Sequence, residues 1–469
     1  MTESIQEKQL RTRLILTVVP LCILLVAYAI WIVQHVPVGI PALLSAALAM
    51  FLFALLYIRF VPQWITDWNS EAELDLRGPI GKRSGRKRRM HPFFSILGAL
   101  VLFRAVLFAA AYWIVLRENG YQGGAVDLLG IWNQVGSDSR HYLYLAENWY
   151  ASTGNEALLI VFFPLYPIIV RLFHFIFDNY LVSGLFVSNV CAVFAGYLFY
   201  ELALLDMDRK SAVRSLKFLC ILPAALLLSA PMSDSLFLLL SVGCIYLIRK
   251  KQFPLAGILG FFAAFTRMPG IILLVPAVFE LVSEILRDVR HEEKGSRFVW
   301  HCIGNAASLL LIPLGLCLYL YINFYVTGNA LQFTVAQSEH WGQNLNWFFN
   351  TAAYQMDLAV QCIANREFTT LIGLWAPNIL FFFGALALVA GAQNKLRPSY
   401  VAYFMAYFIT TMGATWLLSA PRYLVVCFPV AMALGKLTEK KWVNITATVL
   451  CLAGLCVYLY AFVQQWYVY

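Results

Sequence analysis

The chain has 469 residues, 61% of them hydrophobic and 13% charged, and its mean hydropathy is +0.72. A soluble domain carries about 25% charged residues, so the class is an all-α polytopic membrane protein; its continuous apolar runs also exclude the short alternating segments of a transmembrane β-barrel. The net charge of +9 falls in short loops between apolar runs, as the positive-inside rule expects, and no binding module accompanies it, so nucleic acid is excluded as a partner.

Arg11 and Arg13 precede a first span at Leu14–Val33, too long for the apolar core of a signal peptide. A Pro/Gly turn at Pro37–Pro41 leads to a second span, Ala42–Ile58, and then to the basic run Lys82–Arg89, which the charge rule places in the cytoplasm. That run also suits anionic lipid headgroups. Span Phe93–Leu116 therefore runs outward, and Arg117–Asn155 is extracytoplasmic, with Trp132, Tyr142, Tyr144, Trp149 and Tyr150 suited to interfacial helices.

Further basic loops at Arg249–Lys251, Arg287–Arg297 and Lys436–Lys441 fix the remaining parity. Ala157–Phe177 has both ends outside and carries two prolines, so it reads as a dipping or juxtamembrane element rather than a clean span. Pro254–Phe265 is a short outward leg, which leaves Arg267 below the outer surface. A second long loop, Val326–Thr370, contains Cys362, whereas nearly all of the ten cysteines sit in apolar runs. No disulfide framework or C-x-x-C spacing appears. The sum is about thirteen crossings, cytoplasmic N-terminus, with three parts: an appended hairpin and basic loop (1–92), a main transmembrane domain (93–436) and a last helix (437–469).

Asp138, His141, Asp234, Arg267, Gln337, Trp341 and Arg422 all fall on the outer edge, from separate turns, while the inner edge reads as simply basic. Ionisable groups at such depth are functional candidates. Taken locally, Asp138 is equally a helix cap, His141 a structural histidine, and Trp341 and Tyr423 interface anchors.

The combination is more specific. Asp138-Ser-Arg-His141-Tyr142 is followed by Phe162-Phe163-Pro164-Leu165-Tyr166-Pro167 with Arg171, then by Ser233-Asp234-Ser235, Thr266-Arg267 with Gly270, Tyr325–Trp341 with Gln337, and Pro421-Arg422-Tyr423. This order resembles the PIG-V-like mannosyltransferases, which are GT-C glycosyltransferases using a polyprenyl-phosphate sugar donor. The resemblance covers about Phe93–Pro429. The family has Trp where this chain has Ser137, and Thr-Glu-Ser where it has Ser233-Asp234-Ser235.

The resemblance implies a GT-C fold and an inverting hexosyl transfer, with mannose the expected sugar. The donor is a polyprenyl-phosphate sugar and the acceptor a glycolipid or surface glycan; membrane lipids are the other partners. An inverting transfer needs one carboxylate to take the acceptor proton, a role assigned to Asp138. The lipid phosphate leaves and needs cationic donors, for which the planar fork of Arg267 and Arg422 is suited, with His141 as a further donor. Asp234 is expected to position the acceptor or assist as a second carboxylate. Tyr142, Tyr166, Arg171, Gln337, Trp341 and Tyr423 are the substrate-contact candidates. No cofactor is expected, and the lone loop aspartate points away from a divalent cation. The expected location is a bacterial plasma membrane with the site extracytoplasmic. A lipid transporter or flippase is the alternative; it would call for repeated halves and an inner gate, and neither is legible.

Overall fold

In the computed structural model the described residues are 2–34, 39–69, 93–118, 128–133, 137–290 and 295–468. The basic run at 82–89, and parts of the turn after the first span and of the Arg287–Arg297 loop, lie outside them. Apart from one antiparallel bridge between Leu345 and Ala414, the regular structure of these residues is helical.

The helices are α1 (Thr2–Gln34), α2 (Ile40–Asn69), α3 (Phe93–Glu118), α4 (Asp138–Asn148), α5 (Leu165–Phe177), α6 (Tyr180–Leu204) and α7 (Arg209–Ile221). They continue with α8 (Asp234–Arg249), α9 (Phe253–Thr266), α10 (Leu274–Arg290), α11 (Ser296–Leu309), α12 (Leu311–Thr327) and α13 (Gln332–Glu339). The last are α14 (Phe348–Asn365), α15 (Ala376–Ala392), α16 (Pro398–Met412), α17 (Ala420–Val425), α18 (Pro429–Leu437) and α19 (Lys441–Val463).

Among the described residues, eight helices are long and apolar enough to cross a membrane, or up to ten if each of two bent pairs is one span. The sequence count of about thirteen is higher because it included the runs of α8, α9, α16 and α18. These have 16, 14, 15 and 9 residues, and at about 1.5 Å per residue they fall short of a hydrocarbon core roughly 30 Å thick. The dipping element is resolved as a 3₁₀ turn over Asn155–Val161 and helix α5, bent by 109° at Phe162-Phe163-Pro164. A second bend, of 74°, separates α7 from a 3₁₀ segment over Pro223–Ser229.

One contiguous core runs from α1 to α19. The N-terminal hairpin shares it: Ser45 Oγ donates to the Ala352 carbonyl at 2.7 Å and Trp31 Nε1 to Asn350 Oδ1 at 2.8 Å, which fastens α1 and α2 to α14. The expected loop 326–370 thus contains α13 and α14, and Cys362 is buried on α14. Trp132 is likewise buried rather than interfacial, between Phe108 and Phe462. Helices α9 and α12 approach until a Cβ on Gly315 would stand 2.0 Å from the Phe261 carbonyl oxygen. Such contact through small residues is a common way for apolar helices to associate in lipid.

Helix α8 carries polar clusters at both ends. Asp234 is its first residue and Arg249 its last, about 22 Å apart along the axis. At the Arg249 end, Arg249 donates to Asp206 at 2.5 Å and to the Tyr400 hydroxyl at 2.7 Å. Arg397 forks onto Glu280, Ser399 donates to the same carboxylate at 2.5 Å, and Lys251 pairs with Glu284 at 3.1 Å. The edge that reads as simply basic in sequence is therefore an interleaved network of both signs. Asp206 and Glu280 lie 43 and 117 residues from Arg249 and Arg397, so only folding pairs them.

Candidate active site

Helix α4 begins at Asp138 because Ser137 caps it. Ser137 is extended (φ −84°, ψ 142°), and its hydroxyl accepts from the Ser139 amide at 3.3 Å. A serine here satisfies a free helix-start donor and removes the capping reading of Asp138. The helix stops at Trp149, whose φ of 68° leaves the right-handed region. Arg171 covers that end: its Nε donates to the Ala146 carbonyl at 2.6 Å and its Nη2 to that of Glu147 at 2.7 Å. These bonds account for Arg171 as a helix-end partner, where the sequence suggested a substrate contact.

The Asp138 carboxylate bonds Arg422 Nη1. Arg422 Nε donates to Asp234 Oδ2 at 2.7 Å, and the other Asp234 oxygen accepts from Arg267 Nη1. Four charges thus alternate in the order Asp138, Arg422, Asp234, Arg267. They come from the starts of α4 and α8, the end of α9 and the short helix α17. The array is graded in exposure: the Asp234 side chain is 1% exposed, Arg422 5% and Arg267 8%, but Asp138 is 34% exposed. Only Asp138 offers a partly open carboxylate. Asp234, expected to reach the acceptor, has both oxygens engaged by guanidinium groups and no exposed edge.

Arg267 is held from three sides. Its residue is extended between α9 and the next 3₁₀ turn (φ −158°, ψ 146°). Its guanidinium lies 4.8 Å from the Tyr423 ring centroid and 5.8 Å from that of Phe237, cation–π contacts that substitute for lost hydration. Gly270 lets the turn fold back onto α9, since a Cβ there would meet Ala263 and Ala264 backbone atoms at 2.3–2.4 Å. The anionic partner that a buried arginine demands is Asp234 of this chain.

The surrounding aromatic residues form the frame. The Tyr142 hydroxyl bonds Ser233 Oγ at 2.7 Å, one residue before Asp234; burial pushes the Tyr142 pKa up to about 12, so it stays neutral. Tyr166 is fully buried, its hydroxyl within 2.9 Å of the Gly184 carbonyl and 2.8 Å of Ser188 Oγ, which makes it a strut between α5 and α6. The His141 ring lies 5.1 Å from that of Phe162, and burial holds its pKa below 6.5 against the opposing pull of Asp138. Phe162 also meets Trp341 edge-on at 6.3 Å, which brings the turn after α13 to the site. Gln337, on α13, donates through Nε2 to Gln343 Oε1 in that turn.

Among the described residues no group of three or more His, Cys, Asp or Glu could hold a metal ion. Sequence reasoning missed Ser233, which links Tyr142 to the start of α8, and Arg104, a lone cation inside the apolar helix α3. The signal for Arg104 was available, since an isolated charge in a spanning run is conspicuous by itself.

Fold and site together define an all-helical, multi-span membrane protein with an alternating charge array at one end of its bundle. No protein-family model and no curated protein matches the chain. Among solved structures it is similar to ArnT from Cupriavidus metallidurans: 12% identity over 79% of this chain and 76% of that one, with TM-score 0.46 for the apo state and 0.45 for the form bound to undecaprenyl phosphate. It is also similar to the oligosaccharyltransferase AglB from Archaeoglobus fulgidus, solved with an inhibitory peptide and a dolichol-phosphate. There the identity is 13%, the coverage 78% of this chain and 56% of that one, and the TM-score 0.38.

Proposed function

We propose that the protein is an integral-membrane inverting glycosyltransferase of the GT-C type. It moves a hexose, with mannose the first candidate, from a polyprenyl-phosphate donor to a glycolipid or surface glycan at the extracytoplasmic face of a bacterial plasma membrane. The observation that carries this reading is the graded array, in which two arginines stand behind one partly open carboxylate.

Asp138 takes the proton of the acceptor hydroxyl as its oxygen attacks the sugar's anomeric carbon. The bond from that carbon to the phosphate oxygen breaks, and the electron pair leaves with the lipid phosphate. Arg422 and Arg267 stabilise the phosphate. Each guanidinium carries five N–H donors; one nitrogen of Arg267 and two of Arg422 are bonded to carboxylates, which leaves donors for a phosphate oxygen. Asp234 orients the two guanidinium groups and offsets their mutual repulsion. His141 is a further donor at the mouth, and Trp341 and Tyr423 are candidate faces for the sugar, with Gln337 on α13 just before Trp341.

The test is incubation of purified protein with labelled polyprenyl-phosphate mannose and, separately, glucose, followed by analysis of the lipid and glycan products. Transfer of label with inversion at the anomeric carbon is expected. Translocation of donor across vesicles without transfer would favour the flippase. Sidedness is tested by labelling cysteines placed at Glu156 and Lys440, both exposed; the first should react from outside and the second from the cytoplasm.

A further inference from the structure

Arg104 lies within the 26-residue apolar helix α3 and is 7% exposed. Among the described residues no carboxylate pairs with it. Its Nη1 instead donates to the Ala225 carbonyl at 3.1 Å and to Ser229 Oγ at 3.0 Å. Both acceptors belong to the Pro223–Ser229 3₁₀ segment, the second limb of the 74° bend that follows α7. Burying a cation on neutral partners is costly, and a packed apolar side chain would avoid that cost.

What the guanidinium supports is irregular backbone. Between Pro223 and Ser233 the chain is not α-helical, yet almost all of it is buried. Such backbone persists in a membrane protein only where protein groups satisfy it. Arg104 holds it from α3, Asn189 Nδ2 bonds the Ser229 carbonyl at 3.2 Å from α6, and Tyr142 bonds Ser233 from α4. The next residue is Asp234, whose two oxygens set the spacing of Arg267 and Arg422.

We propose that Arg104 is a positioning residue for the charge array: it fixes the 223–229 segment, and through it the Asp234 carboxylate between the two arginines. The structural half of this stands alone; the catalytic half rests on the transferase reading.

The experiment compares wild type with R104M, R104K and S229A in the full-length protein. The first measurement is amide exchange over peptides spanning 222–236. R104M should speed exchange there by about tenfold or more, as two buried hydrogen bonds are lost, with α9 and α12 unchanged. R104K keeps a cationic donor and should stay near wild type; S229A should give a smaller rise in the same peptides. Should R104M fail to fold, R104K and S229A carry the comparison, and unchanged exchange in S229A then counts against the proposal.

The second measurement is sugar transfer. R104M should lower kcat at least tenfold and raise donor KM, because the two arginines that Asp234 spaces hold the donor phosphate; R104K should restore both, and the kcat loss should be smaller in a D234N background, as for residues acting through one group. Wild-type exchange over 222–236 in R104M would overturn the proposal. A kcat loss that multiplies fully with that of D234N would overturn its catalytic half. A wild type that transfers no sugar would sink the transferase reading, and the exchange result would still decide the structural role.

Discussion

Asp138 and Asp234 share one guanidinium: Arg422 bonds the first through Nη1 and the second through Nε. The two carboxylates are alike in chemistry but not in surroundings, because Asp138 is 34% exposed and Asp234 1%. Substitution should therefore separate a reacting carboxylate from a buried one.

Asp138→Asn keeps the size and hydrogen bonding of the side chain but cannot accept a proton. Ser137, not Asp138, caps α4, so thermal stability should change little. Transfer should fall by about 10²–10⁴, the usual cost of losing a general base. A folded variant working within about threefold of wild type would place the base elsewhere.

Asp234→Asn acts differently. Removing the buried charge leaves Arg267 and Arg422 facing each other without their common partner, and breaking a buried pair costs about 3–5 kcal/mol. Melting in detergent should shift far more than in Asp138→Asn. Equal shifts for the two variants would contradict the burial gradient as the determinant.

Arg267→Lys retains charge but loses the planar fork and its cation–π contact with the Tyr423 ring. Donor binding should weaken strongly while the melting temperature falls modestly. Unchanged donor affinity would make Arg267 a support for Asp234 alone.

Ser137→Ala removes the cap of α4 and should cost about 1 kcal/mol. Ser137→Asp should recover most of it, as aspartate also caps. Denaturation of the three proteins checks this, and an equal loss in both variants would show that the Ser137 hydroxyl does not act as the cap.

His141 gives a pH signature. Burial lowers its pKa below 6.5, with Asp138 raising it and Arg140 and His340 lowering it. A depressed histidine pKa means the unfolded chain binds more protons in this window, so stability rises with pH. The contribution is present above the unfolded value near 6.5 and is lost as pH falls through the folded value. Melting temperature measured from pH 7.5 down to 5 should drop less steeply in His141→Gln than in wild type. Parallel profiles would exclude the histidine as the source.

Composition and hydropathy determined the membrane class, because a chain with 13% charge buries its apolar runs mainly in lipid. The site charges were also legible: Asp234, Arg267 and Arg422 each interrupt a greasy stretch where the cost is evident, and Asp138 stands in a polar loop between two apolar segments. Its prolines and parity also marked Ala157–Phe177 as something other than a straight span, and the chain there is bent by 109°. Pairing was not legible. Asp138 and Arg422 are 284 residues apart, and Asp234 and Arg422 are 188 apart, distances at which no local periodicity carries information. The same holds for Asp206, Glu280, Arg249 and Arg397 at the other end of α8. Nor could sequence decide that Ser137 caps α4 and so frees Asp138, or that Arg171 and Tyr166 serve the frame. Each of those roles depends on which carbonyl or hydroxyl another helix brings within about 3 Å, and only the packing of the helices fixes that.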